Sequence, residues 1–322
     1  MEIIARKGQD NLDSKLRALQ ESVERVIRGK TEVVELALVT LLARGHLLIE
    51  DVPGVGKTTL AHALARSFDC SFQRIQFTSD LLPSDLTGIS VFNQPKQEFE
   101  FRRGPLFANV VLADEINRTT PKTQSALLEA MSDGKVTVED KTYPLPHPFM
   151  VIATQNPIEH HGTYPLPESQ LDRFLMRIQM GYPDEENEKQ ILRSQISYDT
   201  AEQLRPVIVV QEILEAQKQA EQVELKDILL EYLMALVKAT RQSEYLSLGI
   251  SPRGAMALYR AAQVVAFLRG RNYCIPDDVK GLAIPIFSHR VIVSSKYSSP
   301  LGETEEAASI IGGLLEEIEV PL

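Results

Sequence analysis

Nine consecutive residues, Asp51-Val52-Pro53-Gly54-Val55-Gly56-Lys57-Thr58-Thr59, carry the parts needed to grip a phosphate. Glycines let successive backbone N–H groups curl around an anion, and a lysine reaches the β and γ oxygens of a nucleotide. Thr58 supplies a hydroxyl for Mg²⁺, and a helix opening there aims its N-terminus at the charge. The strict pattern begins with Gly where this chain has Asp51. Asp tolerates unusual backbone angles better than most residues, so the turn is expected to survive. A second segment, Val110-Val-Leu-Ala-Asp-Glu, is an apolar run that ends in two carboxylates. At the C-terminal end of a parallel strand such acids face the ligand crevice. Asp114 is then expected to hold Mg²⁺, and Glu115 to orient and polarise an attacking water. A lone Asp-Glu pair is an ordinary strand end, but the two motifs in this order mark a P-loop NTPase.

Three more residues fit the same chemistry. Phe149-Met-Val-Ile-Ala-Thr-Gln-Asn-Pro ends a buried run in an amide, so Asn156 is a candidate donor to the γ-phosphate or the water, although Asn-Pro also starts turns. Arg173, in Gln170-Leu-Asp-Arg-Phe, precedes the last expected strand and so lies near a domain edge. Arg253, in Ser251-Pro-Arg-Gly, sits in the first turn of a helix capped by Ser251 and opened by Pro252. A cation there opposes the macrodipole at a cost of about 0.3–1 kcal/mol, which suggests that it meets an anion. For either arginine alone, an ordinary solvated side chain is the simpler account.

These residues need a scaffold, and residues 11–181 read as one. Strand candidates His46–Glu50, Gln73–Phe77, Val110–Ala113, Phe149–Thr154 and Phe174–Met180 alternate with helix candidates Leu12–Ile27, Thr31–Ala43, Thr58–Phe68 and Pro121–Met131. That alternation predicts a parallel sheet covered on both faces. Thr120 is placed to cap the last helix, with Pro121 at its first position. Ile89–Phe92 with Glu98–Phe101, and Lys135–Val138 with Thr142–Leu145, read as two inserted β-hairpins. After Gly181 the pattern turns helical, at Glu185–Ser194, Gln211–Gln219, Lys226–Arg241, Pro252–Arg269, Pro276–Phe287 and Ala307–Ile318. The expectation is an α/β domain over 1–181 and a helical domain over 182–322.

Composition sets outer limits. With 322 residues, 43% hydrophobic and 24% charged, the chain is an ordinary globular protein of about two domains. No apolar run reaches the roughly 20 residues that span a bilayer, and the first residues lack the pattern of a signal peptide. A cytoplasmic protein is expected. Lys and Arg number 34 against 44 Asp and Glu, a net charge of −10 that argues against general nucleic-acid binding. Cys70 and Cys274 are too few for a disulfide framework and read as buried small hydrophobes. His160-His161 has no partner ligands nearby in sequence and reads as a loop.

Taken together, Asp51-Val-Pro-Gly-Val-Gly-Lys-Thr, Leu112-Ala-Asp-Glu-Ile-Asn-Arg, Ile152-Ala-Thr-Gln-Asn-Pro, Leu171-Asp-Arg-Phe, Ser251-Pro-Arg and Cys274-Ile-Pro-Asp-Asp-Val closely resemble the MoxR-type AAA+ ATPases over nearly the whole chain. The resemblance implies an AAA+ P-loop NTPase core with a parallel five-stranded sheet of order 5-1-4-3-2 and a C-terminal helical lid. It implies ATP and Mg²⁺ as cofactors, with Asp51 to Thr59 on the phosphates and Thr58 and Asp114 on the metal. Glu115 would be the catalytic acid, Asn156 sensor 1, Arg173 an arginine finger reaching a neighbouring subunit, and Arg253 sensor 2, which in this clade acts on a neighbour as well. The first hairpin would be the helix-2 insert and the second the pre-sensor-1 hairpin, both facing the pore of a hexameric ring. Arg28-Gly-Lys30 stands where such proteins often carry Gly-Gln.

The same resemblance implies an ATP-hydrolysing chaperone that remodels, activates or helps load metal or cofactor into a partner, usually one with a von Willebrand factor A domain. Two other classes compete. A nucleic-acid-translocating motor would show DNA-stimulated, salt-dependent turnover, and a nucleotide-gated scaffold would bind a partner with little turnover.

Overall fold

The computed structural model describes residues 2–157, 162–194, 203–296 and 303–321; His160 and His161 lie outside them. The chain opens with α1 (Glu2–Glu24) and α2 (Thr31–Leu42), then β1 (Leu47–Glu50) and α3 (Lys57–Ser67). After β2 (Phe72–Gln76) and α4 (Pro83–Thr87) come the paired strands β3 (Gly88–Asn93) and β4 (Glu98–Arg103). β5 (Val110–Asp114), α5 (Pro121–Asp133), the hairpin β6 (Lys135–Val138) and β7 (Lys141–Pro144), and β8 (Met150–Gln155) follow. The series closes with α6 (Glu168–Leu171), β9 (Met176–Ile178) and α7 (Glu185–Ser194).

The main sheet has the order β2-β5-β8-β1-β9. Counted along the chain without the hairpins, that is 5-1-4-3-2, the expected order. β2 pairs with β5, β5 with β8, and β8 with β1, all in parallel. Val110 to Ala113 and Met150 to Ala153 are all buried, as befits central strands covered on both faces. Each fully buried Val, Leu or Ile contributes roughly 1.5–3 kcal/mol, so these strands anchor the fold.

Both expected hairpins are present. The ring of Phe101 in β4 stacks on Tyr143 in β7 at 4.2 Å, so the two hairpins touch. Two expectations need correction. Thr120 does stand before α5, but its hydroxyl meets the Thr123 hydroxyl at 3.3 Å and makes no side-chain cap. The last strand covers only Met176–Ile178 of the expected Phe174–Met180, because side chains claim the backbone at both ends. Arg290 takes the carbonyls of Phe174 and Leu175, and Asp51 takes the N–H groups of Met180 and Gly181.

The remaining helices are α8 (Val210–Ala220), α9 (Asp227–Gln242), α10 (Pro252–Leu268), α11 (Pro276–Phe287) and α12 (Glu303–Glu317), with a small ribbon of β10 (Leu246–Leu248) and β11 (Ile292–Val293). Leu229, Leu233, Leu236 and Val237 form the buried face of α9, whereas Leu230 is exposed. Contacts divide the chain elsewhere than at 181. One compact unit comprises 1–166 and 178–214, the other 167–177 and 215–322. The segment 167–177 joins the helical unit because Asp172, Phe174 and Leu175 are all held by Arg290. Among the described residues no helix is long and apolar enough to cross a membrane.

Candidate nucleotide site

Between β1 and α3 the chain makes a loop with two left-handed glycines, Gly54 at φ +88° and Gly56 at φ +97°. Any other residue would be strained there, which is why the motif needs glycine at both points. A Cβ on Gly54 would meet nothing within 4 Å, so that side of the loop is open. Gly56 leads into α3, which has no side-chain cap and no acid in its first turn. Its leading N–H groups are therefore left for an external anion.

Asp51 turns out to do something other than tolerate odd angles, since its φ is not positive. Its carboxylate accepts the N–H of Met180 at 2.7 Å, of Gly181 at 2.6 Å and of Val52 at 2.7 Å. It thus fastens the start of the phosphate loop to the chain just beyond β9. The Lys57 ammonium donates to the Asp51 carbonyl at 2.6 Å. Burial lowers the pKa of Lys57, while Asp51, Asp114 and Glu115 raise it, so the lysine shares one field with both acids. Thr58 and Thr59 lie half-buried in the first turn of α3.

Asp114 and Glu115 sit at the end of β5, as the sequence predicts. Neighbouring residues arrange them. Thr154 at the end of β8 donates to Asp114 Oδ1 at 2.7 Å and accepts the Glu115 N–H at 2.9 Å, so one hydroxyl bridges the two acids. Arg74 on β2 pairs with Asp114 Oδ2 at 2.6 Å. Two residues along the same strand face, Gln76 donates to Glu115 Oε2 at 2.6 Å, and Arg118 lies 3.3 Å from that oxygen. Glu115 itself has φ +57°, a conformation uncommon for any residue but glycine, Asn or Asp. Such backbone persists only where the surroundings over-determine it.

Asn156 is buried and follows Gln155, whose carbonyl accepts the Asp51 N–H at 3.2 Å. The β1–β8 register therefore sets Asn156 beside the start of the phosphate loop. Arg173 is half-buried in the turn between α6 and β9, and Arg253 is exposed in the first turn of α10. The expected cap is there, with Ser251 Oγ accepting the Gly254 N–H at 3.1 Å. Both arginines belong to the helical unit, and the phosphate loop, Asp114, Glu115 and Asn156 to the other.

Thr154, Arg74 and Gln76 escaped sequence reasoning. A hydroxyl directly after the apolar run Met150–Ala153 was the one available signal; the β2 side chains had none. Cys274 is buried as expected, but Cys70 is only half-buried. Among the described residues no cluster of His, Cys, Asp or Glu offers another metal site. The residues present suit Mg²⁺ with a phosphate chain, because the Thr58 hydroxyl and the Asp114 carboxylate are hard oxygen donors. An uncapped helix N-terminus and a lysine complete the set.

Fold and site together define a P-loop NTPase of the AAA+ type. A family model described as "ATPase family associated with various cellular activities (AAA)" matches residues 46–176, and one for the AAA lid domain matches 238–311. YeaC of Bacillus subtilis is 48% identical over 98% of this chain and 97% of its own. Chaperone MoxR1 of Mycobacterium tuberculosis is 39% identical, covering 98% of this chain and 85% of its own. A crystal structure of a Cytophaga hutchinsonii protein superposes with a TM-score of 0.91 at 38% identity, over the full length of both chains. The chain belongs to the MoxR family of AAA+ ATPases.

Proposed function

We propose that the protein is a Mg²⁺-dependent ATPase that uses hydrolysis to remodel a partner protein. The observation that carries the hydrolytic part is the pair Asp114 and Glu115, bridged by Thr154 and sharing one field with Lys57. Lys57 and the N–H groups leading α3 bind the β and γ phosphate oxygens. Thr58 and Asp114 would hold Mg²⁺, which when bound would supply neutralising charge to the phosphates. Glu115 takes the proton of the attacking water, and Asn156 fixes the position of the water or the γ-phosphate. In this reading the AAA+ core spans 1–181 and the helical lid 182–322.

Arg173 and Arg253 would act across an interface between copies in a hexameric ring. Chaperone work is supported by the relative named Chaperone MoxR1. A partner with a von Willebrand factor A domain and assistance with its metal or cofactor rest on family resemblance, and a cytoplasmic location on the short apolar runs and the two cysteines of the sequence. The net charge of −10 argues against a nucleic-acid motor.

The test of the mechanism is subunit mixing. Arg173→Ala should keep ATP affinity and lose turnover, and Lys57→Ala should lose ATP binding. Mixed, they should regain part of the activity, because intact phosphate loops then meet intact arginines. A trans finger is worth about 10³–10⁵ in rate in P-loop GTPases. Full turnover by Arg173→Ala, or activity independent of protein concentration in a monomer, overturns the trans reading. Turnover stimulated by DNA and suppressed by salt would favour the motor. A pulldown with a Glu115→Gln protein, which should bind ATP without cleaving it, identifies the partner.

A further inference from the structure

Arg290, just beyond α11, is a cation that the ATPase reading does not use, and its side chain is only 2% exposed. Nε donates to Asp172 Oδ1 at 2.8 Å. Nη1 donates to the Leu175 carbonyl at 3.1 Å and to that of Ile286, and Nη2 to the Phe174 carbonyl. The guanidinium therefore gathers the backbone on both sides of Arg173. The Asp172 carboxylate also accepts from Ser251 Oγ at 3.2 Å, and that hydroxyl caps α10, the helix that carries Arg253 in its first turn. Gly254 completes the arrangement, since a Cβ there would come within 2.9 Å of Arg290 Cδ. Burial pushes the Arg290 pKa down to about 10; Asp172 raises it and the nearby Arg253 lowers it. All these residues lie in the helical unit.

A buried ion pair adds little net stability compared with apolar packing of the same volume, but it fixes geometry well. We propose that Arg290 and Asp172 are positioning residues that set Arg173 and Arg253 on one frame, so that both arginines are delivered to a phosphate group, or withdrawn from it, together. This rests on the reading of Arg173 as a trans finger. It adds that the finger is governed by the helical unit and by a residue 117 positions away.

The experiment uses full-length protein with Arg290→Met, and Asp172→Asn/Arg290→Met to remove both charges. Misplacing a reacting group by about 1 Å can cost about 10²-fold, so turnover should fall by about that factor. Affinity for a fluorescent ATP analogue should not change, because the phosphate loop is untouched. Mixing Arg290→Met with Lys57→Ala subunits should restore turnover, as is expected for Arg173→Ala. Arg173→Ala/Arg253→Ala/Arg290→Met should be no slower than Arg173→Ala/Arg253→Ala. Should Arg290→Met not fold, Arg290→Lys replaces it, since it keeps the pairing charge and loses the fork to the carbonyls; the same pattern is expected with a smaller loss.

Full turnover by the Arg290 variants while Arg173→Ala is inactive overturns the proposal and spares the finger reading. Full turnover by Arg173→Ala sinks the finger reading and this proposal with it. A further loss when Arg290→Met is added to Arg173→Ala/Arg253→Ala, or no recovery on mixing, means that Arg290 acts through general stability, which also overturns the proposal.

Discussion

Replacing Asp51 with glycine would restore the strict phosphate-loop pattern, yet the structure says that it should weaken the protein. The Asp51 carboxylate accepts three backbone N–H groups at 2.6–2.7 Å, two of them from Met180 and Gly181 far along the chain. Hydrogen bonds to a charged group are worth about 1.5–3 kcal/mol each, and an unsatisfied buried donor costs about 1–3 kcal/mol. Asp51 is half-buried, so water will satisfy part of what is lost. Counting the two long-range bonds at the lower end gives about 3 kcal/mol for Asp51→Gly. A further loss of some tenths comes from the freedom that glycine adds to the unfolded chain. At about 2–4 °C per kcal/mol for a unit of this size, the melting temperature should fall by about 6–12 °C. Asp51→Asn keeps one acceptor oxygen and should lose about half as much. ATP affinity should fall along with stability, because Lys57 rests on the carbonyl of the same residue. Thermal unfolding followed by circular dichroism, with ATP titration of each variant, makes the measurement. If Asp51→Gly melts within a degree of the parent and binds ATP equally well, the clasp has no energetic weight and the argument fails.

Three shorter predictions follow from other buried or paired groups. Gln76→Leu frees Glu115 Oε2 from its 2.6 Å partner, so turnover should change severalfold while ATP affinity stays constant; an unchanged rate would show that the bond is incidental. His46 is fully buried between the Met131 carbonyl and the Val151 N–H, and burial lowers its pKa from 6.5 to about 4. The unfolded chain then binds the extra proton first, so stability should fall by about 3 kcal/mol as pH drops from 6.5 to 4; urea titrations across that range should show a flatter profile for His46→Gln. Burial pushes the thiols of both Cys70 and Cys274 up to about 12, so neither should react appreciably with iodoacetamide at pH 8 until the protein unfolds.

Much of the protein is legible in its sequence because the decisive signals are local. Glycine at 54 and 56 is required by a turn of a few residues, and the structure gives both positive φ. The apolar runs at 110–113 and 150–153 announce central strands, and the periodicity after residue 184 announces helices, since each depends on neighbours one to four residues away. The sheet order came from the resemblance those motifs carry, and the structure shows the same order. Even the cap at Ser251 is a four-residue matter.

What the sequence could not settle involves partners far apart along the chain. Asp51 reads as a departure from a loop pattern until Met180 and Gly181, some 130 positions later, supply the donors that explain it. Thr154, Arg74 and Gln76 acquire meaning only when parallel pairing sets β8 and β2 on either side of β5, because sequence spacing carries no record of which strands are neighbours. The same holds for the segment 167–177, whose place in the helical unit depends on Arg290. Local propensity and motif chemistry thus determined which residues are candidates for the nucleotide site. Long-range hydrogen bonds and ion pairs, which only the folded chain can make, decided how those residues are held and which unit carries the arginines.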